Sequence, residues 1–143
     1  IFFSFFSAFH YYLYATLILW ILRFCSGGLH CKTYIGCLFF SLTYLILCIL
    51  LLPRFILSTL WRLVLLLVCI VTAYFIAPVP SIYRQHITPI RRKQYRTYLI
   101  IFLFIHFIFT FIFPQNQYLS VGFWVIMIHM IQLSIAYAKE VLS

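Results

Sequence analysis

The chain has 143 residues, 66% of them hydrophobic and only 8% charged, whereas a soluble domain carries about 25% charged residues; the solvent that suits it is lipid. Ten Lys and Arg face a single acid, Glu140. That excludes a paired-aspartate protease, a two-carboxylate glycosidase, an HExxH zinc protease and an oxygen-rich Mg²⁺ or Ca²⁺ cage.

Apolar runs of about 17–25 residues read as membrane-spanning helices, and five occur. They run from Phe2 to Leu22, Tyr34 to Leu52, Phe55 to Ile76, Thr97 to Phe113 and Val121 to Ala138. Pro53-Arg54 joins the second to the third by a tight turn, and Pro114 to Ser120 joins the fourth to the fifth. Ile1 already lies in an apolar run without a basic n-region, so no signal peptide is read. The expectation is an all-α polytopic membrane protein, one domain over residues 1–143, with a short re-entrant or interfacial segment between the first two spans.

Two polar segments interrupt the pattern. Arg23 to Thr33 is one; Ala77 to Arg96, with Arg84, Arg91, Arg92, Lys93 and Arg96, is the other. Lys and Arg concentrate in cytoplasmic loops, so the second segment is expected inside. Two spans away, Arg23 to Thr33 falls on the same side, as does the tail from Lys139. The count places Ile1 outside and implies six spans in the intact protein, the first absent here. Basic excess in so apolar a chain points to anionic lipid, not to nucleic acid. Within the spans, Arg62 is expected to snorkel to the outer interface. His10, His106 and His129 are expected to be hydrogen-bonded between helices, and Cys48 and Cys69 to be packing residues.

The segment richest in chemistry is Arg23-Phe24-Cys25-Ser26-Gly27-Gly28-Leu29-His30-Cys31-Lys32-Thr33-Tyr34-Ile35-Gly36-Cys37. A thiolate is a nucleophile, and an imidazole can take its proton. On one straight helix a separation of seven residues leaves the two side chains about 10 Å apart, too far for proton transfer at roughly 2.6–3.2 Å. A His30–Cys37 dyad therefore requires a bend. Gly27-Gly28 and Gly36 allow one, and Thr33 is a candidate N-cap for the helix that follows. Cys37 would then lie in that helix's first turn, where the dipole, Lys32 and Arg23 favour its thiolate. Backbone amides near Gly36 and Cys37 are candidates for an oxyanion hole. Cys25 and Cys31 are rival nucleophiles. A zinc site from Cys25, His30, Cys31 and Cys37 lacks the CxxC pair that such sites use.

The run RFCSGGLHCKTYIGC resembles the signature of the accessory gene regulator B (AgrB) family, membrane peptidases of Gram-positive quorum sensing. His30 and Cys37 match that family's catalytic pair, and Arg23 and Gly28 its supporting residues, with Gly27 and Lys32 beside them. Ala77-Pro78-Val79 before a basic loop is similar to the family's A-P stretch. The family also carries an N-terminal amphipathic helix and a first span, which are missing here.

The resemblance implies a cysteine endopeptidase that cleaves an AgrD-type precursor peptide on its C-terminal side through a Cys37 thioester and releases a cyclic thiolactone or lactone. It implies a homodimer in the cytoplasmic membrane, the dyad facing the cytoplasm, and no metal or other cofactor. Arg84, Arg91, Arg92 and Lys93 are candidates to attract the precursor's acidic tail. The alternatives are a non-enzymatic membrane protein, such as a small transporter subunit or assembly factor, and a heme or metal carrier using histidines of the spans.

Overall fold

The computed structural model describes residues 8–27, 33–80 and 87–142, and every regular element among them is helical. Five helices follow in chain order: α1 (Phe9–Ser26), α2 (Tyr34–Ile46), α3 (Thr59–Ile76), α4 (Pro89–Ile112) and α5 (Gln117–Leu142). α2 continues as a π turn over Leu47–Leu51 and a 3₁₀ turn over Leu52–Arg54. Proline explains the irregularity. Pro53 has no N–H to give and its ring crowds the carbonyl of the preceding turn.

Among the described residues, four helices are long and apolar enough to cross a membrane: Tyr34–Arg54, Thr59–Ile76, Pro89–Ile112 and Gln117–Leu142. They correspond to four of the five expected spans. The other expected span, Phe2 to Leu22, begins outside the described residues. Its described part belongs to α1, which adds His10, three tyrosines and Arg23 to its apolar residues.

Capping chemistry sets the helix starts. Ser58 accepts the Trp61 amide at 3.5 Å, so α3 begins at Thr59 and not at Phe55. Asn116 accepts from the Tyr118 and Leu119 amides at 2.9 and 3.4 Å, which starts α5 four residues before the expected Val121. Thr88 accepts the Arg91 amide at 3.4 Å, with Pro89 at the first helical position, where proline's fixed φ suits a helix. The expectation of a loop running to Arg96 is therefore corrected. Arg91, Arg92, Lys93 and Arg96 lie in the first two turns of α4.

α5 is the central helix. Over its apolar window 56% of residues are buried, against 17–22% for the other three spans. α1 packs along it through Ala15, Ile18, Leu19 and Leu22, all buried. Gly122 makes the approach close: a Cβ there would stand 2.9 Å from Ile18 Cδ1 and 2.7 Å from His106 Cε1. Tyr11 at the start of α1 bonds Gln117 at the start of α5, and Ser26 at the end of α1 bonds His129, so the two helices run parallel. The outward faces remain apolar, with Trp20, Phe39, Leu60, Phe75 and Phe111 all exposed, as a lipid-facing surface requires.

Candidate functional site

α1 and α2 are separate helices, and the junction between them carries the candidate site. α1 ends at Ser26, and Gly27 turns the chain out of it at φ 80°, a left-handed value that glycine adopts without steric cost. α2 starts at Tyr34 behind Thr33, an extended residue whose hydroxyl accepts the Gly36 amide at 3.2 Å. This is the cap the sequence suggests. Six residue steps separate Gly27 from Thr33, a reach of at most about 22 Å. That is less than the roughly 30 Å of a bilayer's hydrocarbon, so both ends of the junction open on the same side.

Cys37 lies at the start of α2 and is half-buried, whereas Cys25, Cys48 and Cys69 are buried. Cys48 and Cys69 act as packing residues, the latter with its Sγ 3.5 Å from Met127 Sδ. The Cys37 amide makes the first helical bond of α2, to the Thr33 carbonyl at 3.1 Å, and the Gly36 amide is held by the Thr33 hydroxyl. Both amides named as oxyanion-hole candidates are thus bonded to Thr33. The first-turn donors that α2 does not itself use are Tyr34 and Ile35.

His30, Gly28, Cys31 and Lys32 lie outside the described residues, as does Arg84. Arg23 is half-buried in the last turn of α1, where a cation complements the helix dipole. It lines a groove of about 280 Å³ between α1 and α2, with Leu19, Trp20, Leu38, Ser41 and Leu42. Arg91, Arg92 and Lys93 are exposed.

Hydrogen bonds that the sequence did not suggest surround the junction. The Ser26 hydroxyl is 2.7 Å from His129 Nε2 and 2.7 Å from the Leu22 carbonyl, with both side chains fully buried. On the other side, the Val79 amide donates to the Ser26 carbonyl at 3.1 Å. Arg96 Nε donates to the Ala77 carbonyl at 2.8 Å and its guanidinium lies 5.9 Å from the Tyr74 ring centre. Ala77-Pro78-Val79, singled out above for its A-P pair, thus packs against the end of α1. On α2, the buried Tyr44 hydroxyl donates to the Val125 carbonyl of α5.

The other intramembrane polar residues diverge. His129 bridges two helices as expected. His106 is buried and hydrogen-bonded to the Leu119 backbone of α5, as expected, while its Nε2 has no partner among the described residues. His10 is exposed. Arg62 stretches to the α4–α5 turn and donates to the Pro114 carbonyl at 2.5 Å.

Fold and site together define a polytopic helical membrane protein with a cysteine at the mouth of an interhelical junction. The family model for accessory gene regulator B matches residues 1–133. The chain belongs to that family, which is linked to the processing of AgrD-type autoinducer precursors. No curated protein and no solved structure matches the chain.

Proposed function

We propose that the chain is a membrane-embedded cysteine endopeptidase in which Cys37 is the nucleophile and His30 its base, acting at the cytoplasmic face of a Gram-positive membrane. Family membership supports the substrate class: a short AgrD-type precursor peptide. The carrying observation is the break between α1 and α2. Thr33 is extended ahead of α2, so no straight helix runs back from Cys37 through it to impose the separation of about 10 Å that would forbid proton transfer. Cys37 is also the least buried of the described cysteines, which suits a nucleophile that must meet a peptide.

The reaction balances as follows. His30 takes the Cys37 proton, and the thiolate adds to the scissile carbonyl. The C–N bond breaks, and the imidazolium returns its proton to the leaving amine. The precursor's N-terminal part is then a thioester on Cys37. An internal thiol or hydroxyl of the same peptide attacks that thioester, giving a thiolactone or lactone and restoring the Cys37 thiol. Excluding water at the bilayer edge protects the thioester from hydrolysis.

The groove between α1 and α2 suits an apolar stretch of the precursor. The exposed Arg91, Arg92 and Lys93 suit the acidic fragment that leaves. They fall within the first five residues of α4, whose first turn contains no acid, and cations there oppose the helix dipole. An anionic partner would relieve that opposition.

Coexpression with an AgrD-type precursor peptide tests the proposal. Cys37→Ala and His30→Ala should each abolish the cleaved and cyclised product by mass spectrometry. Parental product from Cys37→Ala would end the peptidase reading in favour of a non-enzymatic role.

A further inference from the structure

We propose that one turn of α5, Val125 to His129, is the positioning element that fixes the end of α1 and the body of α2, the two helical limbs flanking the proposed dyad, relative to each other. This rests on the peptidase reading above and identifies what would hold its geometry. His129 and Val125 are four residues apart and therefore on one face of α5, about 6 Å apart along it. His129 holds the first limb through Ser26, four residues before His30. Val125 holds the second through Tyr44, seven residues after Cys37 and therefore on the same face of α2, about two turns along.

Proton counting gives the first contact its direction. The Ser26 hydroxyl has one proton, and the Leu22 carbonyl at 2.7 Å accepts it. The Ser26 oxygen then accepts from His129 Nε2–H at 2.7 Å. This puts the proton on Nε2 and leaves Nδ1, which has no partner among the described residues, as a bare acceptor. The ring is fully buried, and so is Ser26. A bond shielded from water is directional and costly to leave unmade. Tyr44 is 3% exposed, so the same argument applies to the second limb.

The first limb is gripped from its other side as well. Val79 donates to the Ser26 carbonyl, and a Cβ on Gly27 would lie 3.2 Å from the Val79 oxygen. Arg96 fixes the neighbouring Ala77 carbonyl. The chain therefore leaves α1 at Gly27 in one direction, set by α5 through Ser26 and by the segment after α3. None of these residues touches substrate in this reading; each acts through the dyad.

The test uses the full chain in detergent or vesicles. The first measurement is the rate of iodoacetamide alkylation of the Cys37 peptide near pH 7, followed by mass spectrometry. The second is turnover of the coexpressed precursor. Ser26→Ala and Tyr44→Phe should each slow alkylation toward the rate of His30→Ala. Each should lower kcat about 10–100-fold, the cost of a misplacement on the order of 1 Å, with KM little changed. His129→Ala should match Ser26→Ala, and the double variant should be no worse than either, since both remove one bond. His129→Gln, which can present an amide N–H near the Nε2 position, should recover most of the rate. If His129→Ala fails to fold, Ser26→Ala and Tyr44→Phe carry the test.

Parental alkylation and kcat in Ser26→Ala and Tyr44→Phe, with Cys37→Ala inactive, would overturn the positioning role and leave the peptidase intact. So would losses that follow thermal stability alone and are not recovered by His129→Gln. Parental product from Cys37→Ala would overturn both.

Discussion

At Gly27 the chain turns out of α1 with φ 80°, and an added Cβ would approach the Val79 carbonyl oxygen to 3.2 Å. Gly27→Ala should therefore cost about 1–2 kcal/mol from the left-handed backbone alone, read as a lower thermal midpoint in detergent. Gly122 presents a packing problem of a different kind. Its Cβ would meet His106 Cε1 at 2.7 Å and Ile18 Cδ1 at 2.9 Å, the first a rigid buried ring. Gly122→Ala should destabilise by about 1–3 kcal/mol, the usual cost of overpacking. An unchanged midpoint would mean that α1 and α4 yield easily around α5. The turn at Gly27, the Thr33 cap and the first-turn place of Cys37 were legible in the sequence because residues nearby set each of them. The partner of His129 was not, because Ser26 is 103 positions away and a lone serine at a helix end carries no mark of a distant imidazole. The same holds for Tyr44 and Val125, where the acceptor is a backbone carbonyl and leaves no trace in residue type.

Among the elements, α4 departs most from expectation, and the reason is a cap. Hydropathy detects where apolar residues begin, at Thr97, but a helix begins where its first amides find an acceptor, at Thr88. Ser58 and Asn116 shift α3 and α5 by the same mechanism. As a result Arg91, Arg92 and Lys93 are presented on a rigid turn, not a loop. Replacing all three by Gln should leave α4 as stable or slightly more so, because cations at a helix N-terminus are unfavourable. The same change should raise KM for the precursor several-fold at low salt, and less where the Debye length shortens to about 8 Å at physiological ionic strength. Unchanged KM with weaker retention on anionic vesicles would assign these cations to lipid. The existence of four of the five expected spans was legible because a bilayer demands long apolar runs. Their ends were not, because capping depends on single polar residues that a hydropathy window averages away.

For the whole molecule, the charge count and the hydrogen bonds give independent readings of which ends lie together. Of the ten Lys and Arg, only Arg54 and Arg62 fall at the end assigned to the outside, as the positive-inside rule requires. That rule takes no account of contacts, yet the contacts agree with it. Tyr11 bonds Gln117 and Arg62 bonds Pro114, joining ends assigned to the outside. Ser26 bonds Val79 and Arg96 bonds Ala77, joining ends assigned to the inside. If α1, α3, α4 or α5 were reversed across the bilayer, at least one of these pairs would be separated by its roughly 30 Å hydrocarbon core. The prediction is a labelling pattern in intact cells, with single cysteines introduced on a background lacking the native ones. Ile56→Cys and Gln115→Cys should react with a membrane-impermeant maleimide. Gln94→Cys and Lys139→Cys should react only after permeabilisation. The reverse pattern would put the α1–α2 junction outside, where a precursor made in the cytoplasm would have to cross the bilayer before reaching Cys37. Labelling of both classes from outside would mean that the helices do not span at all.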